Sequence, residues 1–183
     1  MDRSEALRLM EENIQNANLR KHILAVEAVM RRLARHFGED EERWGVAGLL
    51  HDIDYEQTKG DAASHSIVGA EMLEKLGVDP DIVYAVKVHN EFHGLPRNTA
   101  LDKALHFSDP VTGLIVAAAL INPAKKLSAI DTEFIMKRFG EKAFARGANR
   151  EVIKRCSELN LGLEDFIGLS LEAMQGISDQ LGL

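Results

Sequence analysis

Apolar residues recur at steps of three and four along almost the whole chain, and clean two-residue alternation is nearly absent. That periodicity belongs to amphipathic helices and predicts an all-α fold, a compact helical bundle with additional C-terminal helices. A first helix is expected over residues 19–37, capped by Asn18 and closed by Gly38, with Val26, Val29, Met30, Leu33 and Phe37 as its buried stripe. A second is expected over 41–50, turning Trp44, Ala47 and Gly48 inward. After a polar turn at 54–62, a third helix spans 64–76, with Val68, Met72, Leu73 and Leu76 on one side and Gly77 ending it. A fourth, short helix follows Pro80, uses Ile82, Ala85 and Val86 as its apolar face, and stops at the loop His93-Gly94-Leu95-Pro96.

A long apolar helix is expected over 99–121, interrupted or bent at Pro110, because proline removes a backbone donor and clashes with the preceding turn. Helices over 131–139, 149–158 and 163–181 complete the pattern. The last carries Phe166, Leu169, Ala173, Met174, Ile177 and Leu181 on one side and is expected to pack back on the body, although the same residues suit a homo-oligomer contact. No repeat, low-complexity tract or Pro/Gly/Ser-rich linker divides the chain. The expectation is one domain over 1–183, with a core at about 18–121 and a helical extension at about 124–183.

Composition narrows the class. A chain of 183 residues buries a useful core without staples, and its only cysteine, Cys156, cannot form an internal bridge. The first thirty residues carry charges throughout, and uninterrupted apolar runs such as 114–121 fall short of the roughly 18 residues a spanning helix needs. A cytoplasmic chain without a membrane partner is expected. The formal charge of −7 and the 5% aromatic content argue against a general nucleic-acid binder.

Four of the seven histidines fall on the predicted inward stripes. His22 precedes Val26 by four, and His51 follows Ala47 by four with Asp52 beside it. His65 lies three and seven residues before Val68 and Met72, and His89 three and seven after Val86 and Ile82. Asp109 follows Leu101 and Leu105 on the long apolar helix. Any one such histidine is ordinarily a hydrogen-bonded core residue. Together the bland reading fails, because each buried polar group without a partner costs roughly 1–3 kcal/mol against a net stability of about 5–15 kcal/mol. A metal satisfies them jointly. Imidazole and carboxylate without thiolate suit Fe, Mn, Co, Ni or Mg better than a structural zinc site. Six ligands exceed the need of one ion that also binds water, so two divalent ions are expected.

The ordered set His22, His51-Asp52, His65, His89 and Asp109 resembles the HD superfamily of metal-dependent phosphohydrolases, named for that doublet. The resemblance covers about 18–121 and is densest in LLHDIDYEQTKGDAASHSIVGAEMLEKLG. It extends to the HDIG variant, in which the second histidine begins a helix of the form H-x-x-x-G-A, here His65 to Ala70. It implies His22, His51, Asp52 and Asp109 as ligands of a first metal. His65 and His89 match the extra histidines of two-metal members, including the HD-GYP cyclic-dinucleotide phosphodiesterases, with Asp52 bridging. The sequence departs from HD-GYP at Asn90 and Glu91 after His89, and at HGLPRN in place of the GYP stretch, so a cyclic dinucleotide is a weak match. Asp54 stands where a general acid is conceivable; its competing role is a turn or cap.

Residues 125–155 hold nine basic side chains (Lys125, Lys126, Lys137, Arg138, Lys142, Arg146, Arg150, Lys154, Arg155) against four acidic ones. Such a segment suits phosphate, and a solvated helical face explains it somewhat better. Arg97 and Lys103, between His89 and Asp109, are further phosphate candidates, with Lys103 also a candidate for balancing charge during the reaction. The expected function is metal-dependent hydrolysis of a phosphate mono- or diester in a small phosphorylated substrate. Two other readings fit the ligand set: a di-iron oxygenase of the HD fold and a metal-containing binding domain without turnover.

Overall fold

The computed structural model describes residues 1–141 and 143–183, so Lys142 of the basic segment lies outside the described residues. Their helices run in the order α1 (Arg3–Asn13), α2 (Ala17–Phe37), α3 (Glu41–Leu50), α4 (Tyr55–Thr58), α5 (Ile67–Lys75) and α6 (Pro80–His89). These are followed by α7 (Ala100–Ile121), α8 (Thr132–Phe139), α9 (Arg150–Lys154), α10 (Leu163–Gln175) and α11 (Ser178–Leu181). Among the described residues there is no strand.

The expected α2, α3, α6, α7 and α8 form with bounds close to those read from the pattern, and the differences have local causes. Asn16, not Asn18, caps α2: its side chain accepts the N–H groups of Asn18 and Leu19, which draws Ala17 and Asn18 into the first turn. Gly38 closes α2 at φ +71°, as a left-handed cap position requires. Helix α1 was not expected, because Ala6 and Met10 are its only fully buried residues among charged ones. Its start was nonetheless written in the chain, as a capping box between Asp2 and Glu5. The polar turn at 54–62 contains α4. Helix α5 begins three residues later than expected, because Ser66 takes a left-handed φ of +71°; Leu76, just past its end, is 53% exposed instead of buried. Beyond Asn149, α9 tightens after Lys154 into a 3₁₀ turn (Arg155–Leu159), and the last helix breaks at Gly176 and Ile177.

Helix α7 runs unbroken through Pro110 under a Thr99 capping box closed by Asp102. By length and composition it is apolar enough to cross a membrane, but here it is the central helix, packed by α2, α6, α8, α9 and α10. Phe166, Ala173, Met174 and Leu181 are spent within the chain, where α10 and α11 lie on α2. One buried apolar cluster joins α1 through α11 except α4.

The tightest approach is α2 against α3. A Cβ at Gly48 would stand 2.8 Å from the Glu27 Cα, so glycine is what lets the two backbones meet. Glu27 itself is buried on α2 and ion-paired with Arg3 (2.6 Å) and Arg31 (2.8 Å), which ties α1 to the pair.

Gly48 and Gly113 give opposite expectations for the same change. Gly48→Ala forces α3 away from α2 and costs roughly 1–3 kcal/mol of stability. Gly113, on an exposed face of α7 with nothing within 4 Å of its missing Cβ, gains about 1 kcal/mol from the helix propensity of alanine. Thermal unfolding followed by circular dichroism reads both signs, at about 2–4 °C per kcal/mol for a chain of this size.

Candidate metal centre

The six residues that carry the sequence argument converge at one place, but only three come from helix faces. His22 lies on α2, His89 is the last residue of α6, and Asp109 sits on α7. His51 is the residue that ends α3, Asp52 follows in the turn, and His65 stands in the turn before α5 instead of beginning that helix.

Asp52 is at the centre. Its Oδ2 lies 3.5 Å from His51 Nε2 and 3.8 Å from His22 Nε2, and its Oδ1 lies 3.4 Å from His65 Nε2 and 3.5 Å from His89 Nε2. One carboxylate oxygen thus faces each pair of imidazoles. Two overlapping groups can each hold a cation, His22 with His51 and Asp52, and His65 with His89 and Asp52. Asp109 joins the first group, with Oδ1 3.2 Å from His22 Nε2. His51 Nε2 is buried and has no hydrogen-bond partner, a lone pair that only a ligand would satisfy.

The other ring nitrogen of each of these four histidines is engaged. His51 Nδ1–H donates to the Gly48 carbonyl (2.8 Å) and His89 Nδ1–H to the Val86 carbonyl (2.6 Å). His65 Nδ1–H donates to Asp54 Oδ1 (3.0 Å). Thr112 Oγ1 donates to the Asp109 carbonyl and is therefore free to accept from His22 Nδ1–H at 3.2 Å. An acceptor at Nδ1 fixes the proton there and leaves Nε2 as a lone pair, the tautomer a metal ligand needs.

Burial and charge act against each other here. Burial holds the His51 imidazole below its usual pKa. The same burial lowers His22 and His89, but Asp109 beside His22 and Asp52 beside His89 outweigh it and raise both. Burial would raise the Asp52 carboxyl, yet the surrounding imidazoles, His51 foremost, hold it well below the ordinary range.

Asp54 is not placed to act as a general acid. It is fully buried, and its Oδ2 accepts the N–H groups of Ser66 (2.8 Å) and Gly69 (2.9 Å) while Oδ1 holds His65. Gly69 eases this approach, since a Cβ there would stand 3.2 Å from the Asp54 Cγ. The buried, left-handed Ser66 adds a bond from Oγ to the Lys87 carbonyl (3.0 Å), so the turn bearing His65 is anchored from both sides.

None of the basic candidates lines the centre. Lys103 lies 3.9 Å from Glu158, and Arg97 is partly buried near Arg155, burial and that like charge lowering its pKa. Arg146 is on an exposed turn after α8. Arg150 is spent on the carbonyls of Phe139, Glu141, Phe144, Ala145 and Ala148, which closes the loop after α8. Arg138, Lys154 and Arg155 pair with neighbouring glutamates. The centre instead opens into a groove of about 680 Å³ bordered by Asn16, Leu19, His22, Asp52, Tyr55, Glu56, Lys59, His65 and Asp109. Thr112, Tyr55 and Lys59 carry no motif in the sequence and become visible only here. His106, also missed, is buried and donates from Nδ1 to the His89 carbonyl (2.8 Å).

An all-helical domain with histidines and aspartates gathered from five segments defines the class: a helical metal-site protein. The HD domain family model matches residues 19–132, so the chain belongs to the HD family, the superfamily of metal-dependent phosphohydrolases. It is 33% identical over 141 residues to the Ribonuclease Y of Lawsonia intracellularis and 30% identical over 138 residues to that of Oleidesulfovibrio alaskensis, in each case over 74% of this chain and 26% of the relative. The Ribonuclease Y of a Sulfurovum species is 27% identical over 171 residues, 90% of this chain and 32% of the relative. The chain thus spans about a quarter to a third of the length of these relatives. No solved structure matches it.

These names overturn the expectation that nucleic acid is an unlikely partner. That expectation averaged charge over the chain, whereas a site for phosphate sets its own field at short range through its bound cations.

Two outcomes test the ligand geometry. Asp54→Asn keeps an acceptor for Ser66 and Gly69 but turns an amide N–H toward His65, which moves the imidazole proton to Nε2. Titration calorimetry should then show cation affinity lowered by about 10–100-fold with the fold intact. Separately, a cation must displace the protons that Asp109 and Asp52 favour on His22 and His89. Loading should weaken as pH falls through their raised pKa values, which lie above the ordinary 6.5.

Proposed function

We propose that this chain is a metal-dependent hydrolase of phosphodiester bonds in single-stranded RNA, working with two divalent ions. The observation that carries it is the division of Asp52, whose two oxygens address the His22/His51 pair and the His65/His89 pair separately. The names of the Ribonuclease Y relatives support the substrate class.

In this reading His22, His51, Asp52 and Asp109 hold one ion, and His65 and His89 hold the other with Asp52 shared. A divalent ion so bound supplies Lewis acidity toward a phosphoryl oxygen and lowers the pKa of its water toward neutrality. The chain's own residues orient and neutralise. The fixed Nδ1 donors hold four Nε2 lone pairs in position before substrate arrives, so little reorganisation is needed during the reaction. Asp52 and Asp109 offset part of the cationic charge, and the half-buried setting of Asp109 beside the groove leaves the water side open. Asp54 acts one step removed, by setting the tautomer and angle of His65.

The test uses protein stripped with a chelator and reloaded with Mg, Mn, Fe, Co or Ni. Cleavage of a short single-stranded RNA should appear on reloading and vanish with chelator. Asp52→Ala should lose bound metal and turnover together; wild-type metal content and activity in that variant would sink the assignment. Oxygen consumption in place of hydrolysis would favour the di-iron reading.

A further inference from the structure

The metal ligands account for His22, Asp52, His65 and Asp109 in the groove, but the lining contributed by α4 and the start of α2 has no role in that account. Tyr55 begins α4, is 40% exposed, and stands with its ring 5.4 Å from that of His65 at an interplanar angle of 89°. An edge-to-face contact of this kind fixes the ring while leaving aromatic surface open to the groove. Lys59, one turn on, is exposed and makes no ion pair among the described residues. Glu56, on the same wall, keeps its charge: its Oε1 accepts the backbone N–H groups of Gln15 (3.0 Å) and Asn16 (2.6 Å), and these, with Arg20 and Lys59 nearby, hold its carboxyl below the ordinary range. Those two bonds also join α4 to the segment before α2, so Leu19 and Tyr55 border the same groove on a braced wall.

We propose that this wall is a nucleotide subsite in which Tyr55 stacks a base and Lys59 contacts the phosphate next to the one at the metals. The proposal rests on the RNA-hydrolase reading for its substrate and adds what selects a nucleotide chain over a simple phosphate ester. Every base offers a π-face, so a tyrosine platform accepts any sequence, and it needs a base that is unpaired. The subsite therefore favours single strands and ends over duplex.

The test compares the metal-loaded wild type with Tyr55→Ala, Tyr55→Phe and Lys59→Ala on a short single-stranded RNA and on a matched oligomer with abasic residues. Both kcat/KM and binding of a slowly hydrolysed phosphorothioate analogue, by fluorescence anisotropy, are read. Stacking predicts that wild type prefers the base-bearing strand by roughly tenfold or more, that Tyr55→Ala collapses this preference toward one through KM, and that Tyr55→Phe keeps it. Lys59→Ala should weaken both oligomers alike and reduce the slope of affinity against salt by about one charge. A base preference that survives in Tyr55→Ala, with that variant losing equally on both oligomers, would overturn the subsite while leaving RNA hydrolysis standing. Binding with the stacking preference but no cleavage would instead overturn the hydrolase reading and keep the subsite; absence of binding by the wild type would overturn both.

Discussion

Which ring nitrogen carries the proton decides this site. Four imidazoles in a small core are a liability unless their lone pairs point at something positive, and each points inward only because its other nitrogen is held as a donor. The acceptors differ by context. His51 and His89 lie at helix C-termini, where the carbonyls of the last turn lack intrahelical partners, and each ring uses the carbonyl three residues back. His65 stands on a turn that supplies no such carbonyl and relies on Asp54. His22 sits within α2, whose carbonyls are already used, and depends on Thr112 of α7. Asp52 then faces all four Nε2 atoms and gives the cluster its negative centre.

The scaffold is arranged around holding those donors still. Close packing of α2 on α3 through Gly48 places His22 and His51 with ring centroids 5.3 Å apart, and the same glycine carries the carbonyl that orients His51. Asp54 has a comparable double use, tying the backbone of Ser66 and Gly69 while orienting His65. Stability and site geometry therefore share residues, and damage to one is felt in the other.

Net charge says little about the surroundings of the site. The chain carries −7 overall, and the groove beside the candidate metal centre is itself lined by Asp52, Asp109 and Glu56, with Lys59 and an exposed Tyr55 on one wall. In the basic stretch at 125–155, which suggested a phosphate surface, four of the nine cations are engaged internally: Arg150 satisfies loop carbonyls, and Arg138, Lys154 and Arg155 pair within one turn. Counting charges along a chain cannot separate a cation that is free from one already paired.

The sequence by itself determined the helical class, most helix bounds and which histidines and aspartates to look at together, because helical period and caps are local and because histidines stand out against an apolar stripe. The pattern did not show that His65 leaves its helix, since a left-handed Ser66 is not forecast by residue type. Nor did it show Asp54 as a support instead of an acid, Thr112 as the partner of His22, or Lys103 and Arg97 as outside the lining of the groove. Those outcomes rest on contacts between segments up to ninety residues apart. Periodicity reports which side of a helix is buried; only packing decides which buried atoms meet.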